Sequence, residues 1–222
     1  MKSKYQAIHF DMDGVIADTE PFHVAAEQQT CVEYDFAIEP SQWGGFKGRT
    51  SKDIFTHLIN TYGDPQVHTP EQLIERKTDI FLESVSGRLT PIDGVLGFLH
   101  WAREAHEYMS LVTSSNSRVQ RFIVSTFEIE GLFDVVVTGD DITEGKPSPQ
   151  PYQKAIDMLG AKASKSVVIE DSHSGIISGR TAGCDVLAIM TSHSHAELTE
   201  ARPTYIVPNY DEAQRQLELV GR

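Results

Sequence analysis

Cysteine and long apolar runs are scarce in this sequence. Its 222 residues include two cysteines, Cys31 and Cys184, too few for a disulfide framework, so a reducing compartment is the simpler expectation. No stretch approaches the roughly 18–20 apolar residues that cross a bilayer. Asp11 and Asp13 interrupt the first segment before it is long enough for a signal peptide. We therefore predict a cytoplasmic protein with no membrane partner.

Positive charge is also in short supply. Lys and Arg number 19 against 32 Asp and Glu, which gives a formal net charge of −13. Because the phosphates of nucleic acids attract Lys and Arg, this balance argues against a nucleic-acid partner. It does not exclude a small anionic substrate, since such a ligand needs only a local cation or a bound metal.

Short apolar runs that end in acidic, hydroxyl-bearing or glycine residues recur along the chain, a pattern typical of buried strands that lead into loops. We predict strands at 7–10, 110–112, 134–137, 167–169, 186–189 and 205–207. Segments with helical spacing separate the later ones, so the alternation predicts an α/β fold with a Rossmann-like parallel sheet sandwiched by helices. Ligands bind at the carboxyl ends of strands in such sheets, and we expect a site there.

A segment without strands interrupts this alternation after the first strand. Helices are predicted at 22–34, 51–62 and 70–85, with Ser51 as the N-cap of the second. We interpret residues 17–90 as an inserted small α-helical cap domain, and 1–16 with 91–222 as the α/β core domain. An insertion at this point of the chain would lie above the strand ends, where a lid would lie.

Four polar groups follow the predicted strands. They are Asp11 with Asp13, Thr113 or Ser114, Lys146, and Glu170 with Asp171. The carboxylates can act as a nucleophile, as an acid/base or as Mg²⁺ ligands. A hydroxyl before a helix can bind an anion, and a lysine can neutralise a phosphoryl group. Each group alone has an ordinary explanation as a solvated turn, a helix cap or a surface lysine, but together they describe a phosphoryl-transfer site.

Four short motifs carry a family resemblance. Asp-Met-Asp-Gly at 11–14, Thr-Ser-Ser at 113–115, Gly-Lys-Pro at 145–147 and Glu-Asp-Ser at 170–172 resemble, in order, the motifs of the haloacid dehalogenase-like hydrolase superfamily. The surrounding residues are most similar to the subgroup of β-phosphoglucomutases and small sugar-phosphate and phosphoglycolate phosphatases. The resemblance covers nearly the whole chain.

This resemblance implies roles for the motif residues. Asp11 would attack phosphorus and become an aspartyl-phosphate, Asp13 would be the acid/base, and Lys146 would bridge the phosphoryl group and Asp11. Thr113 would hold the phosphoryl oxygens, although Ser114 and Ser115 compete for that role. The implied Mg²⁺ ligands are Asp11, Asp13 through its backbone carbonyl, Asp171, and Glu170. The presence of Asp13 argues against the dehalogenase and phosphonate-cleaving branches of the superfamily.

The predicted cap supplies the candidates for substrate recognition. Lys47 and Arg49 belong to a segment that resembles the family's cap loop, and we expect both to contact substrate, with solvated loop cations as the alternative. His23 matches a position near the cap hinge that helps to orient the acid/base loop, and we count it among the candidate substrate-binding residues, although packing in the seam between domains is an alternative. His193 and His195 resemble metal ligands, but alternating histidines in a polar loop are expected to be solvated.

The sequence thus predicts an Mg²⁺-dependent phosphatase that hydrolyses a small phosphorylated metabolite, such as a sugar phosphate, through an aspartyl-phosphate. The alternative is a β-phosphoglucomutase-type phosphosugar mutase, which would use the same core residues. A phospho-accepting receiver module would have about half this length and no helical lid, and a binding protein without catalysis would not need every motif residue. We expect a monomer or a weak homodimer.

Overall fold

The computed structural model describes residues 4–39, 42–43, 46 and 50–220. Contacts divide the chain into two compact units, Met1–Asp18 with Thr90–Arg222 and Thr19–Leu89. The predicted boundaries at 16/17 and 90/91 lie two residues and one residue from these divisions.

The larger unit contains all six strands of the sheet. They are β1 (Ala7–Phe10), β2 (Tyr108–Val112), β3 (Val135–Val137), β4 (Ser166–Glu170), β5 (Asp185–Ile189) and β6 (Tyr205–Val207). The helices of this unit are α4 (Val95–Ala105), α5 (Ser117–Thr126), α6 (Gln150–Leu159), α7 (His173–Thr181), α8 (His195–Glu200) and α9 (Tyr210–Val220). The helices of the smaller unit are α1 (Glu20–Glu33), α2 (Ser51–Tyr62) and α3 (Pro70–Val85).

The sheet is parallel throughout, in the order β3-β2-β1-β4-β5-β6. Every residue of β1 and β4 is buried, as expected for central strands of a sheet covered on both faces. The strand order reverses between β1 and β4. The strands that follow β1 in the chain, β2 and β3, lie on one side of this pair, and those that follow β4, β5 and β6, lie on the other. The predicted α/β fold with a Rossmann-like parallel sheet is confirmed, and the reversal marks the point where such folds bind ligands.

The described residues of the smaller unit form the three helices α1, α2 and α3 and an apolar core of their own. Phe55, Leu58 and Leu73 are fully buried there, together with other residues of α2 and α3. The predicted bounds of α2 and α3 are confirmed, but its N-cap was wrong: Thr50, rather than Ser51, accepts the hydrogen bond from the Asp53 N–H. The Thr50 backbone is extended, whereas Ser51 is already helical. The N-cap is the last residue before the helix, because its side chain can accept a hydrogen bond from a free N–H of the first turn.

Within the described ranges, no helix is both long enough and apolar enough to cross a bilayer.

Candidate active site

The predicted polar groups lie at the carboxyl ends of adjacent strands. Asp11 follows β1, Thr113 follows β2, and Asp171 follows β4. The parallel pairing of β1 with β2 and with β4 places these three strand ends side by side. Because all strands run the same way, their carboxyl ends share one edge of the sheet, and the polar residues converge at the reversal of strand order.

Lys146 connects all three of these strand ends. Its Nζ donates hydrogen bonds to Asp11 Oδ1 at 2.6 Å, to Glu170 Oε1 at 2.6 Å and to the Val112 carbonyl at 3.2 Å. An ammonium has three donors, and all three are used here. The side chain is 3% exposed, and the ammonium also lies 5.0 Å from the centroid of the Tyr152 ring, within cation–π range.

Burial and charge both act on the acidity of this pair. Burial raises the pKa of Asp11 well above its ordinary range, and Glu170 and Asp171 add to the rise, while Lys146 offsets only part of it. Burial alone would lower the pKa of Lys146, but attraction to Asp11 and Glu170 outweighs it and the pKa is raised. The lysine therefore stays cationic, and Asp11 lies in a field of excess negative charge.

Glu170 is held on both oxygens. Its Oε1 accepts from Lys146 and from the Tyr152 hydroxyl at 2.9 Å, and its Oε2 accepts from the N–H groups of Asp171 and Ser172 and from the Ser172 hydroxyl. A Cβ on Gly175, in the first turn of α7, would overlap the Glu170 carboxylate. Gly175 therefore provides the space that the carboxylate fills.

The loop after β1 is shaped by close contacts with its neighbours. Gly14 has a φ of 78°, and a Cβ there would overlap Oδ2 of Asp171, so the backbone conformation and the close approach both require glycine. The loop closes on itself through the Met12 carbonyl, which accepts from the N–H groups of Ile16 and Ala17. It follows that the loop carrying Asp11 and Asp13 packs directly against Asp171.

Asp13 contacts the hydroxyls that follow β2. Its Oδ2 accepts from Thr113 Oγ1 at 3.1 Å and from Ser115 Oγ at 2.9 Å. Thr113 Oγ1 in turn accepts from the Ser115 N–H at 3.0 Å. Ser114 is half-buried beside them, and its carbonyl would lie 2.5 Å from a Cβ on Gly139. The structure thus brings Asp13 to the residues predicted to bind an anion.

Comparison with known proteins places this geometry in a family. The family model described as "Haloacid dehalogenase-like hydrolase" matches residues 8–189. This chain belongs to the haloacid dehalogenase-like hydrolases. The resemblance predicted from the motifs, and the assignment to a hydrolase enzyme family, are confirmed.

Individual relatives of this hydrolase are distant. The chain is 26% identical over 197 residues to the validoxylamine A 7'-phosphate phosphatase of Streptomyces hygroscopicus subsp. limoneus, covering 89% of this chain and 91% of the relative. It is 28% identical over 182 residues to the phosphorylated carbohydrates phosphatase of Thermotoga maritima, covering 81% and 82%. The crystal structure of CbbY from Rhodobacter sphaeroides in complex with phosphate has the same fold, with a TM-score of 0.84, 23% identity, and coverage of 96% and 99%.

The acidic cluster of this hydrolase has the composition of a divalent-cation site. One carboxylate oxygen from each of Asp11, Glu170 and Asp171 lies within 4.8 Å of the others, and all three residues are buried. Lys146 is the cation that the described contacts place among them, so the negative charge exceeds the positive charge by two. Carboxylate oxygens are the ligands that Mg²⁺ prefers. The residues present therefore fit a magnesium ion, and Glu170 accepts five hydrogen bonds within this cluster.

The predicted cap residues of this hydrolase have different outcomes. Lys47 and Arg49 lie outside the described residues. His23 is buried in the smaller unit, where its ring stacks on Phe81 with centroids 4.2 Å apart and its Nδ1 lies 3.0 Å from Lys77 Nζ. Lys77 also donates to Ser51 Oγ at 3.1 Å. Contact of His23, Lys47 and Arg49 with substrate stays a prediction.

Sequence reasoning missed several residues that border the site. Tyr152 is not among the predicted site residues, yet its hydroxyl bonds Glu170. His193 was expected to be solvated, yet its Nδ1 lies 2.8 Å from the Asp171 carbonyl oxygen. A tyrosine five residues after Gly-Lys-Pro was a usable signal, because a buried phenol needs a hydrogen-bond partner. Nothing in the Ser-His-Ser-His segment indicated the backbone contact of His193.

Proposed function

We propose that this protein is an Mg²⁺-dependent phosphatase that hydrolyses a small phosphorylated metabolite through an aspartyl-phosphate on Asp11. The observation that carries the proposal is the buried ion-pair cluster, in which Lys146 bonds Asp11 and Glu170 at 2.6 Å each beside Asp171. A fixed ammonium next to a carboxylate nucleophile suits a reaction in which a phosphoryl dianion must approach that carboxylate.

In the first half-reaction, a carboxylate oxygen of Asp11 attacks phosphorus and the bond from phosphorus to the ester oxygen breaks. Lys146 orients the Asp11 carboxylate and favours its ionised form, and its positive charge offsets part of the charge of the incoming phosphoryl oxygens. A bound Mg²⁺ would supply further neutralisation of that charge. The residues that would hold it are Asp11, Asp171 and Glu170, together with the backbone carbonyl of Asp13 as predicted.

Asp13 would give its proton to the leaving alkoxide. It would then take a proton from water, whose oxygen attacks phosphorus and releases Asp11 with inorganic phosphate. Asp13 now bonds the hydroxyls of Thr113 and Ser115, which are also the groups proposed to receive phosphoryl oxygens. A bound phosphate ester would compete for those hydroxyls, so Asp13 would be released toward the leaving oxygen as the substrate binds.

The substrate class is proposed from the relatives. Two of them are phosphatases named for validoxylamine A 7'-phosphate and for phosphorylated carbohydrates, which supports a sugar phosphate or a similar ester here. Lys47 and Arg49 remain the proposed substrate contacts of the cap. A cytoplasmic location and a monomer or weak homodimer remain part of the proposal, as do the absence of nucleic-acid and membrane partners.

The test is phosphate release from p-nitrophenyl phosphate and from a panel of sugar phosphates, with and without Mg²⁺. Wild type should hydrolyse at least one ester only with Mg²⁺, and Asp11→Asn should lose at least about a thousandfold in kcat because the nucleophile is gone. Asp18→Asn, a change at the other end of the same loop, is the matched control. Equal and negligible release by wild type and Asp11→Asn across the panel would overturn the proposal.

The mutase is separated by its product. Incubation with β-glucose 1-phosphate should yield free phosphate if water discharges Asp11. Accumulation of glucose 6-phosphate without free phosphate would mean that a sugar hydroxyl does so, and the protein would then be a mutase.

A further inference from the structure

The loop after β5 reaches both of the loops that carry the acidic cluster. Thr191 Oγ1 donates to the Gly14 carbonyl at 2.5 Å, and His193 Nδ1 lies 2.8 Å from the Asp171 carbonyl oxygen. Ser192, between them, would have its Oγ 2.6 Å from a Cβ on Gly14. One short segment, 191–193, therefore touches the Asp11–Gly14 side and the Asp171 side of the proposed magnesium site.

The contact of His193 has a definite hydrogen-bond direction. A carbonyl oxygen can only accept, so the Nδ1 of His193 carries the proton and donates it. The ring is half-buried. The side chain lies in a loop but is bonded to the backbone of a residue 22 positions earlier in the chain, so the contact depends on the fold and not on a local turn.

Asp171 is held by side chains on both of its backbone polar groups. Its N–H donates to Glu170 Oε2 at 3.1 Å, and its carbonyl accepts from His193. It stands between the last residue of β4, Glu170, and the N-cap of α7, Ser172. These two side-chain bonds set the orientation of the Asp171 backbone, and with it the direction of the carboxylate.

We infer that His193 is a positioning residue for the divalent-cation site and that it acts through Asp171. Thr191 does the same for the opposite loop through Gly14, so the segment 191–193 sets the spacing between the two acidic loops. This inference rests on the proposed Mg²⁺ site, and its consequence is a specific one. Loss of the His193 hydrogen bond should weaken cation binding while the phosphate-binding groups at Thr113 and Lys146 are unchanged.

The test is calorimetric titration of the full-length protein with MgCl₂, together with the KM for Mg²⁺ and for the phosphate ester. His193→Ala should weaken Mg²⁺ binding about tenfold, the usual scale for a lost partner of a metal ligand. The KM for the ester at saturating Mg²⁺ should stay within about twofold of wild type. His193→Asn, whose amide N–H can replace the Nδ1–H, should recover most of the affinity.

His195→Ala is the matched control. His195 is exposed, and its Nδ1 lies 3.3 Å from Thr199 within α8, so its removal should leave Mg²⁺ affinity unchanged. Thr191→Val provides an independent measurement, because it removes the bond to Gly14 without touching His193. It should also weaken Mg²⁺ binding, and it carries the test should His193→Ala fail to fold.

The outcomes separate this inference from the proposed function. Unchanged Mg²⁺ affinity in His193→Ala, or the same loss in His195→Ala, would overturn the role of His193. Weaker Mg²⁺ binding in His193→Ala, in a protein that hydrolyses no phosphate ester, would support the positioning role and reject the phosphatase.

Discussion

At the scale of single residues, the centre of the site depends on how Glu170 is held. Tyr152 is fully buried, and its hydroxyl donates a hydrogen bond to the Glu170 carboxylate, 2.9 Å away. Burial, with the negative charge of Glu170 and Asp11, raises the pKa of Tyr152 well above its ordinary value, so the phenol remains a donor. Glu170 in turn bonds Lys146, which bonds Asp11. Tyr152 thus acts on the proposed nucleophile through two intermediates.

The change Tyr152→Phe removes this hydroxyl and keeps the ring beside Lys146. We expect kcat to fall about tenfold with little change in KM, because a hydrogen bond to a charged group contributes about 1.5–3 kcal/mol to keeping that group in place. Steady-state kinetics at saturating Mg²⁺ measure this. Tyr205→Phe is the matched control. Tyr205 is the first residue of β6, and its hydroxyl lies 3.4 Å from the Tyr5 hydroxyl. A kcat equal to wild type in Tyr152→Phe would contradict the expectation.

At the scale of elements, the loop that follows β2 is shaped by the loop that follows β3. Gly139 donates its N–H to the Ser115 carbonyl at 2.9 Å, and a Cβ there would stand 2.5 Å from the Ser114 carbonyl oxygen. No side chain can occupy that space without a shift of backbone. The two loops must therefore move together, and the hydroxyls of Thr113 and Ser115 move with them.

The change Gly139→Ala tests this coupling. The added methyl should push the 113–115 loop outward, raise the KM for the phosphate ester about tenfold and cost about 1–3 kcal/mol in the free energy of unfolding. Steady-state kinetics over a range of ester concentrations measure the KM, and urea unfolding measures the free energy of unfolding. Gly131→Ala is the matched control, because it lies in the short helical turn before β3 and a Cβ there meets nothing within 4 Å. Equal KM values for the two variants would contradict the coupling.

At the scale of the whole molecule, a buried histidine makes stability depend on pH. Burial lowers the pKa of His106 from 6.5 to about 4. Its Nδ1 lies 3.0 Å from the Ala102 carbonyl, and its Nε2 is buried without a hydrogen-bond partner among the described residues. The folded protein keeps this ring neutral, whereas the unfolded chain takes up a proton below about pH 6.5. Stability from this group is therefore present at neutral pH and is lost as the pH falls toward 4.

We expect the free energy of unfolding to fall by about 2 kcal/mol between pH 7.5 and pH 5 on account of His106. His106→Asn should remove that part of the pH dependence, although it will lower stability at pH 7.5 through lost packing against Trp101. Urea unfolding at the two pH values measures both terms. His195→Asn, at an exposed position, should retain the wild-type pH dependence. An identical pH dependence in wild type and His106→Asn would show that burial of this ring does not control it.

Much of the fold followed from local pattern. The predicted bounds of β1, β6, α2 and α3 match the structure. In each of these segments the apolar residues repeat with a single period, and a helix cap or a polar residue marks the ends. The first cap helix begins at Glu20, two residues before its prediction, because Glu20 and Pro21 suit the first turn and the apolar pattern starts only after them. Strand order did not follow from local pattern.

The sequence by itself determined which residues end the strands, and with them the acidic motifs, the hydroxyls and the lysine that predict a phosphoryl-transfer chemistry. These are local properties, since a strand and the loop after it are neighbours in the chain. Only the tertiary structure decided that β1 lies beside β4, that Tyr152 bonds Glu170, and that His193 bonds the backbone of Asp171. All three join groups that are far apart in the chain, and the backbone acceptor of His193 leaves no mark in the sequence. A tyrosine after Gly-Lys-Pro can signal a buried hydroxyl that needs a partner, but only the fold shows that the partner is Glu170.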